Sequence, residues 1–171
     1  MVFVNIQTII LTLTATSTAL IAGLFFAYSF SVNPGLARLE DAAYLSAMQS
    51  INRAIQNPVF FAAFLGTLIL LPLSAWLHYS QPVTLRFWML LASSLIYAAG
   101  VFGVTVLGNV PLNDVLDGIN LQTSSAQDIA AQRAAFEIPW NRLNAIRTAA
   151  SAVSVILVIM ACLIPTSSGR V

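Results

Sequence analysis

The stretch Trp140–Ile164, "WNRLNAIRTAASAVSVILVIMACLI", decides the fold, because an apolar run long enough to cross a bilayer is entered through two arginines and two asparagines. Crossing the hydrocarbon layer takes about 20 mostly apolar residues in a helix. Three more runs of that kind occur, which predicts membrane-spanning helices over roughly 6–30, 59–79, 87–108 and 144–164. The whole chain agrees: 171 residues, 58% hydrophobic and only 8% charged, with a mean hydropathy of +0.86. A soluble globule with a polar surface cannot be built from that balance. A helix satisfies its own backbone hydrogen bonds inside lipid, so the expected fold is an all-α integral membrane protein, a bundle of four transmembrane helices forming one domain over 1–171. The first run is read as a retained span. The residues before it, "MVFVN", lack a basic residue, and its apolar core is too long for a cleaved leader.

Composition also removes chemistries. One cysteine, Cys162, permits no disulfide within the chain, and one histidine, His78, falls at the end of the second run beside Tyr79, where an interfacial, snorkelling role is the simplest reading. The carboxylates Glu40, Asp41, Asp114, Asp117, Asp128 and Glu137 lie outside the runs without metal-ligand spacing, so a protein-held metal is not expected. No glycine-rich nucleotide loop is present, and a net charge of +1 gives nucleic acid nothing to bind.

All seven basic residues are arginine. Both termini and the 80–86 loop share one membrane face, with Arg86 and Arg170. The other face holds Arg38, Arg53, Arg133 and Arg142, with Arg147 at its border. A raw count puts the long connections in the cytoplasm. If Arg53, Arg142 and Arg147 instead fold back into a site, they drop out of the count and both termini become cytoplasmic. That is the expected topology.

The two long connections differ. Segment 40–57, "EDAAYLSAMQSINRAIQN", sets Tyr44, Met48, Ile51 and Ile55 at helical spacing, with Gln49, Asn52, Arg53 and Gln56 on another face. It reads as an amphipathic helix, lying flat in the headgroups or closing a pocket as a lid. Asn33-Pro34-Gly35 is expected to end the first helix, and Pro58 to open the second. The other connection begins with "GNVPLND", a stop signal in which Asn109 caps the helix or turns into the bundle. It then runs through a flexible middle to a short helix capped by Ser125 and ended by Pro139, giving a long, partly helical loop.

A helix beginning near Pro139 puts Trp140, Asn144, Arg147, Ser151 and Ser154 on one stripe. An arginine at the bilayer centre costs about 2.5–3.5 kcal/mol on insertion scales, and less near the interface. Arg147 is therefore either a snorkelling anchor among asparagines that glue helices together, or a donor aimed into a buried pocket. The first helix offers a wall, with Ala15, Ala19 and Gly23 as a small-residue face and Phe25, Phe26, Tyr28 and Phe30 crowding the end level with Arg147.

Four blocks, "FFAYSFSVNPGLARL" (25–39), "YLSAMQSINRAIQNPVFF" (44–61), "GNVPLND" (108–114) and "PWNRLNAIRT" (139–148), resemble the anthrone-oxygenase-like integral membrane family in order and spacing. The resemblance implies a four-helix protein of a bacterial inner membrane, acting on a small aromatic substrate with dioxygen and with no metal, flavin or other cofactor. An anthrone is a carbon acid whose anion can pass an electron to dioxygen, so fixed donors in a dry cavity suffice to promote the reaction. Arg147, Asn144, Trp140 and Asn109 are the candidate catalytic residues. Asn141, Asn52, Gln49, Tyr28, Phe26 and Asn113 are candidates for binding substrate. Asp114, Glu137, or Gln49 through water stand as alternative proton acceptors. A non-enzymatic protein that binds a lipophilic molecule or supports a partner complex is the other reading, and the small-residue face of the first helix leaves a homo-oligomer open. Transport is disfavoured by four short helices without a repeated half.

Overall fold

A computed structural model describes residues 5–165, so Arg170 lies outside the described residues. Five helices follow one another: α1 Ile6–Leu36, α2 Asp41–Ala54, α3 Pro58–Leu77, α4 Leu85–Asp117 and α5 Ala126–Leu163. Among the described residues there is no strand. Four of them, α1, α3, α4 and α5, are long and apolar enough to span a membrane, and α2 is the amphipathic element between the first two spans.

The helix starts follow local chemistry. Asn57 accepts hydrogen bonds from the amides of Val59 and Phe60, with Pro58 at the first helical position. Thr84 caps α4 through the Phe87 amide, and Ser125 caps α5 while its hydroxyl donates to Asp128. The helix ends depart from expectation. Neither Asn33-Pro34-Gly35 nor "GNVPLND" breaks its helix, because each proline is preceded by a widened π turn, Tyr28–Val32 in α1 and Thr105–Asn109 in α4. A proline contributes no amide hydrogen, and a turn closed by i→i+5 bonds carries the chain past the gap. A further π segment, Tyr97–Gly103, lies just upstream in α4.

Pro139 does not end a helix either. It sits inside α5, whose 38 residues run unbroken. An interior proline costs about 3 kcal/mol, but here the turns before it are held by packing: Ile129, Phe136 and Trp140 bury themselves against Tyr44, Leu45 and Met48 of α2 and Leu116 of α4. The long loop expected between the third and fourth spans shrinks accordingly to 118–125. At 1.5 Å per residue α5 is about 57 Å long, well beyond a hydrocarbon core of about 30 Å, so its first turns stand outside the bilayer.

Two cores result. Within the membrane, Ile21, Phe25, Phe64, Leu71, Leu90, Tyr97, Val101 and Val158 pack together. Gly100 brings α4 onto α5 so closely that a Cβ there would stand 2.6 Å from that of Ala150. Outside it, α2, the end of α4 and the start of α5 form a cap. Arg133 pins the cap by donating to the Ala37 and Leu39 carbonyls, to Asp41 at 2.9 Å and to Glu137 at 2.7 Å, with its guanidinium 4.5 Å from the Tyr44 ring. Burial, with Glu137 beside it, pushes the Tyr44 hydroxyl up, so it stays protonated.

The small-residue face of α1 meets the core only at Ala15. Leu11, Thr14, Thr18, Ile21 and Phe25 face inward instead, while Ala19 and Gly23 are exposed, with open space beside Gly23. Larger side chains can fill the gap between α1 and its neighbours, and those residues do so.

Candidate active site

The inward stripe of α5 is the spine of the site. Trp140, Asn144, Arg147, Ser151 and Ser154 are all buried. Beside the first three lies a cavity of about 340 Å³ between the cap and the membrane core, within the range of about 300–1,000 Å³ usual for small-molecule pockets. Phe60 stacks on Phe64 at 5.2 Å, and Phe102 lies 5.8 Å from Phe64, giving the cavity an aromatic wall. Across from it, Tyr28 and Trp140 sit 5.9 Å apart. Ile51 and Asn52 of α2, with Ile55 and Gln56 just past its end, line its cap side, so the end of α2 and the turn after it act as a cover.

Arg147 is 6% exposed, and among the described residues it forms no ion pair. One terminal nitrogen donates to Asn144 Oδ1 at 2.9 Å, the other approaches Thr105 Oγ1 at 3.4 Å, and Nε has no partner. Its guanidinium carbon lies 4.5 Å from the Phe25 ring centre and 5.3 Å from that of Trp140. Such faces attract a cation but do not neutralise it. A buried charge without a counter-charge is costly, so the arrangement favours an anion in the cavity.

The orientation of Asn144 follows from its neighbours. Only its oxygen can accept from Arg147, which leaves Nδ2 to donate to Ser29 Oγ at 2.9 Å. Ser29 then donates to Thr148 Oγ1 at 2.7 Å, and Thr148 donates back to the carbonyls of Phe25 and Asn144. This relay fixes Asn144 and through it one arm of Arg147. Trp140 is held in turn by its indole N–H on Asn113 Oδ1 at 2.9 Å. Asn109 points its nitrogen toward the Trp140 carbonyl at 3.5 Å, leaving Oδ1 unpaired, and Asn52 Nδ2 is unpaired as well. Two donors, Arg147 Nε and Asn52 Nδ2, and one acceptor, Asn109 Oδ1, thus belong to buried residues lining the cavity and have no partner among the described residues.

The cavity brings together Arg147, Asn144, Trp140, Asn109, Asn52, Tyr28 and Asn113. It does not include Gln49, Asn141 or Phe26. Gln49 turns the other way and donates to the carbonyls of Leu116 and Ile119, tying α2 to the end of α4. Asn141 and Phe26 face a separate, open groove between α1 and α5, since position 141 lies about 100° round the helix from Trp140. Phe25, Thr105 and the pair Ser29 and Thr148 complete the arrangement, and sequence spacing alone did not single out their roles. Of the alternative proton acceptors, Glu137 is engaged by Arg133 and Gln49 by the two carbonyls, whereas Asp114 lines the cavity and is exposed at its mouth. Of the arginines considered for the site, only Arg147 enters it. Arg53 pairs with Asp117 at the surface and Arg142 is exposed. Among the described residues no three His, Cys, Asp or Glu side chains gather as a metal site.

The family model for anthrone oxygenase matches residues 58–157, more than half of the chain. The chain belongs to the anthrone oxygenase family. The match takes in the aromatic wall on α3, the π-turned part of α4 and the stripe on α5, so most of the cavity lies within it, while α1 and α2 lie before it. No curated protein and no solved structure matches the chain.

Proposed function

We propose that the protein is a membrane-embedded, cofactor-independent oxygenase that converts the activated CH2 group of an anthrone-like aromatic to a carbonyl, giving a quinone. The observation that carries this reading is the buried Arg147, with no ion pair and no partner for Nε among the described residues, beside an aromatic-walled cavity. Removal of the first CH2 proton leaves an anion whose charge resides largely on the ring-ketone oxygen. Arg147 stabilises that oxyanion as it develops, the type of preorganised electrostatic assistance that costs no reorganisation during reaction. Asp114 takes the proton. The anion gives one electron to dioxygen, and recombination of the two radicals forms the new C–O bond as a peroxide, which the first proton neutralises. Loss of the second CH2 proton with departure of hydroxide leaves the carbonyl and water. One oxygen atom of dioxygen enters the quinone, and the other leaves as water.

Oxygen uptake by the detergent-purified, chelator-treated protein with emodin anthrone tests the proposal against spontaneous oxidation and the Arg147→Ala variant. Uptake well above background, lost in the variant, is the expected result. Equal rates in variant and parent would remove Arg147 from the site, and no uptake above background would remove the oxygenase reading.

The topology proposal changes with the structure. Because Arg53 and Arg142 stay at the surface, they remain in the arginine count, which then favours a cytoplasmic cap and termini on the opposite side. A C-terminal alkaline phosphatase fusion should be active in intact bacterial cells. A silent but full-length fusion would restore the cytoplasmic termini.

A further inference from the structure

The cavity has an apolar rim as well as a polar one. Phe61 and Leu65 of α3 and Val106 and Val110 of α4 line it, yet each is 40–44% exposed. A side chain that both lines a cavity and is exposed on the outer surface forms part of an opening. These four come from neighbouring spans, at the end of each span nearer the cap. Next to them along the same helices stand Val59 and Leu107, 80% and 83% exposed and absent from the cavity lining, as expected of residues that face acyl chains. The polar rim, with Gln56 and Asp114, opens toward the cap.

We infer that the gap between α3 and α4 is a lateral portal through which a flat, lipophilic aromatic enters the cavity directly from the bilayer. The inference rests on the reading of the cavity as an aromatic-substrate site and adds the phase from which that substrate comes. A planar apolar molecule concentrates in the membrane, and an apolar rim passes it without desolvating any charge. Once inside, it meets the Phe60, Phe64 and Phe102 wall first and the Arg147 guanidinium beyond. The four rim residues thereby select for lipophilicity before any polar contact is made. The opening between α3 and α4 is compatible with the close packing of α4 on α5 at Gly100, because the portal and that contact involve different neighbours of α4.

The test follows binding of emodin, an anthraquinone, to the protein in phospholipid vesicles by quenching of Trp140. Trp76 and Trp88, 70% and 55% exposed, are first replaced by Phe so that Trp140 alone reports. Two results are expected. The pair Leu65→Phe with Val106→Phe should slow association and dissociation together by about tenfold, with Kd changed less than twofold, whereas Val59→Phe with Leu107→Phe should change neither rate. Exchange of one apolar side chain for another at a half-exposed site is compatible with folding, and retained equilibrium quenching verifies that the pocket survives. Unchanged rates in the Leu65/Val106 pair, or equal slowing by the Val59/Leu107 pair, would overturn the portal while leaving the site intact. Absence of any quenching would overturn the aromatic-site reading itself, and the portal with it.

Discussion

Two regions bury polar side chains, and they do so in opposite ways. In the membrane core every buried hydroxyl is satisfied within the protein: Thr14 shares a 2.6 Å bond with Ser74, Thr67 donates to the Ala63 carbonyl, Ser93 to the Ser154 carbonyl and Tyr97 to the Phe64 carbonyl. Around the cavity, Arg147, Asn109 and Asn52 each keep an atom without a partner. The difference lies partly in reach. A Thr or Ser hydroxyl can fold back on the carbonyl four residues earlier, so it satisfies itself wherever it is buried. An amide or guanidinium has several polar atoms spread in a plane, and some of them must find partners elsewhere. The first region uses polarity as glue, and the second presents it to a ligand.

Arg147→Ala breaks this comparison most severely. It should abolish oxygen uptake while leaving thermal stability equal or higher, since it removes a buried charge without a counter-charge. A loss of folded protein in proportion to the loss of activity would instead make Arg147 part of the glue. Asp114→Asn should lower turnover at neutral pH by about 100-fold, the lower end of the usual contribution of a proton acceptor. The deficit should narrow as pH rises, because hydroxide can then ionise the substrate in its place. A constant deficit across pH would assign Asp114 a structural role. Ser74→Ala sharpens the other side and has the smallest effect: about 0.6 kcal/mol of stability, typical of a hydrogen bond between membrane helices, with oxygen uptake unchanged. Thr14 keeps its bond to the Ile10 carbonyl in that variant, which is why the effect stays small.

The same contrast explains what could be read in the sequence. The spans are visible because lipid demands long apolar runs, and the stripe from Trp140 to Ser154 is visible because helical period alone aligns it. The prolines misled. At Pro34, Pro111 and Pro139 local chemistry favours a stop, but π turns at the first two and cap packing at the third carry the helix through. Gln49 reads as a cavity residue because its neighbours on α2 share its polarity, and only the carbonyls of Leu116 and Ile119, at and just past the end of α4, divert it. Ser29 and Thr148 sit in quoted blocks, but a bond between residues so far apart in the chain leaves no periodic signal. The importance of Phe25 likewise depends on which side of α1 meets α5.

The π turn at Thr105–Asn109 has a further consequence, for the reading frame of the helix. A π turn contains roughly one more residue than the α turn it replaces. Deleting a single residue there would let α4 close as an ordinary α-helix with everything after the cut keeping its face, whereas closing the turn without a deletion would swing everything after it by about 100°. In the second case Asn113 would leave Trp140 and Asp114 would leave the cavity, although no residue had changed. A relative one residue shorter at this point therefore keeps the same faces beyond it, and a single gap placed there aligns the two chains side chain by side chain.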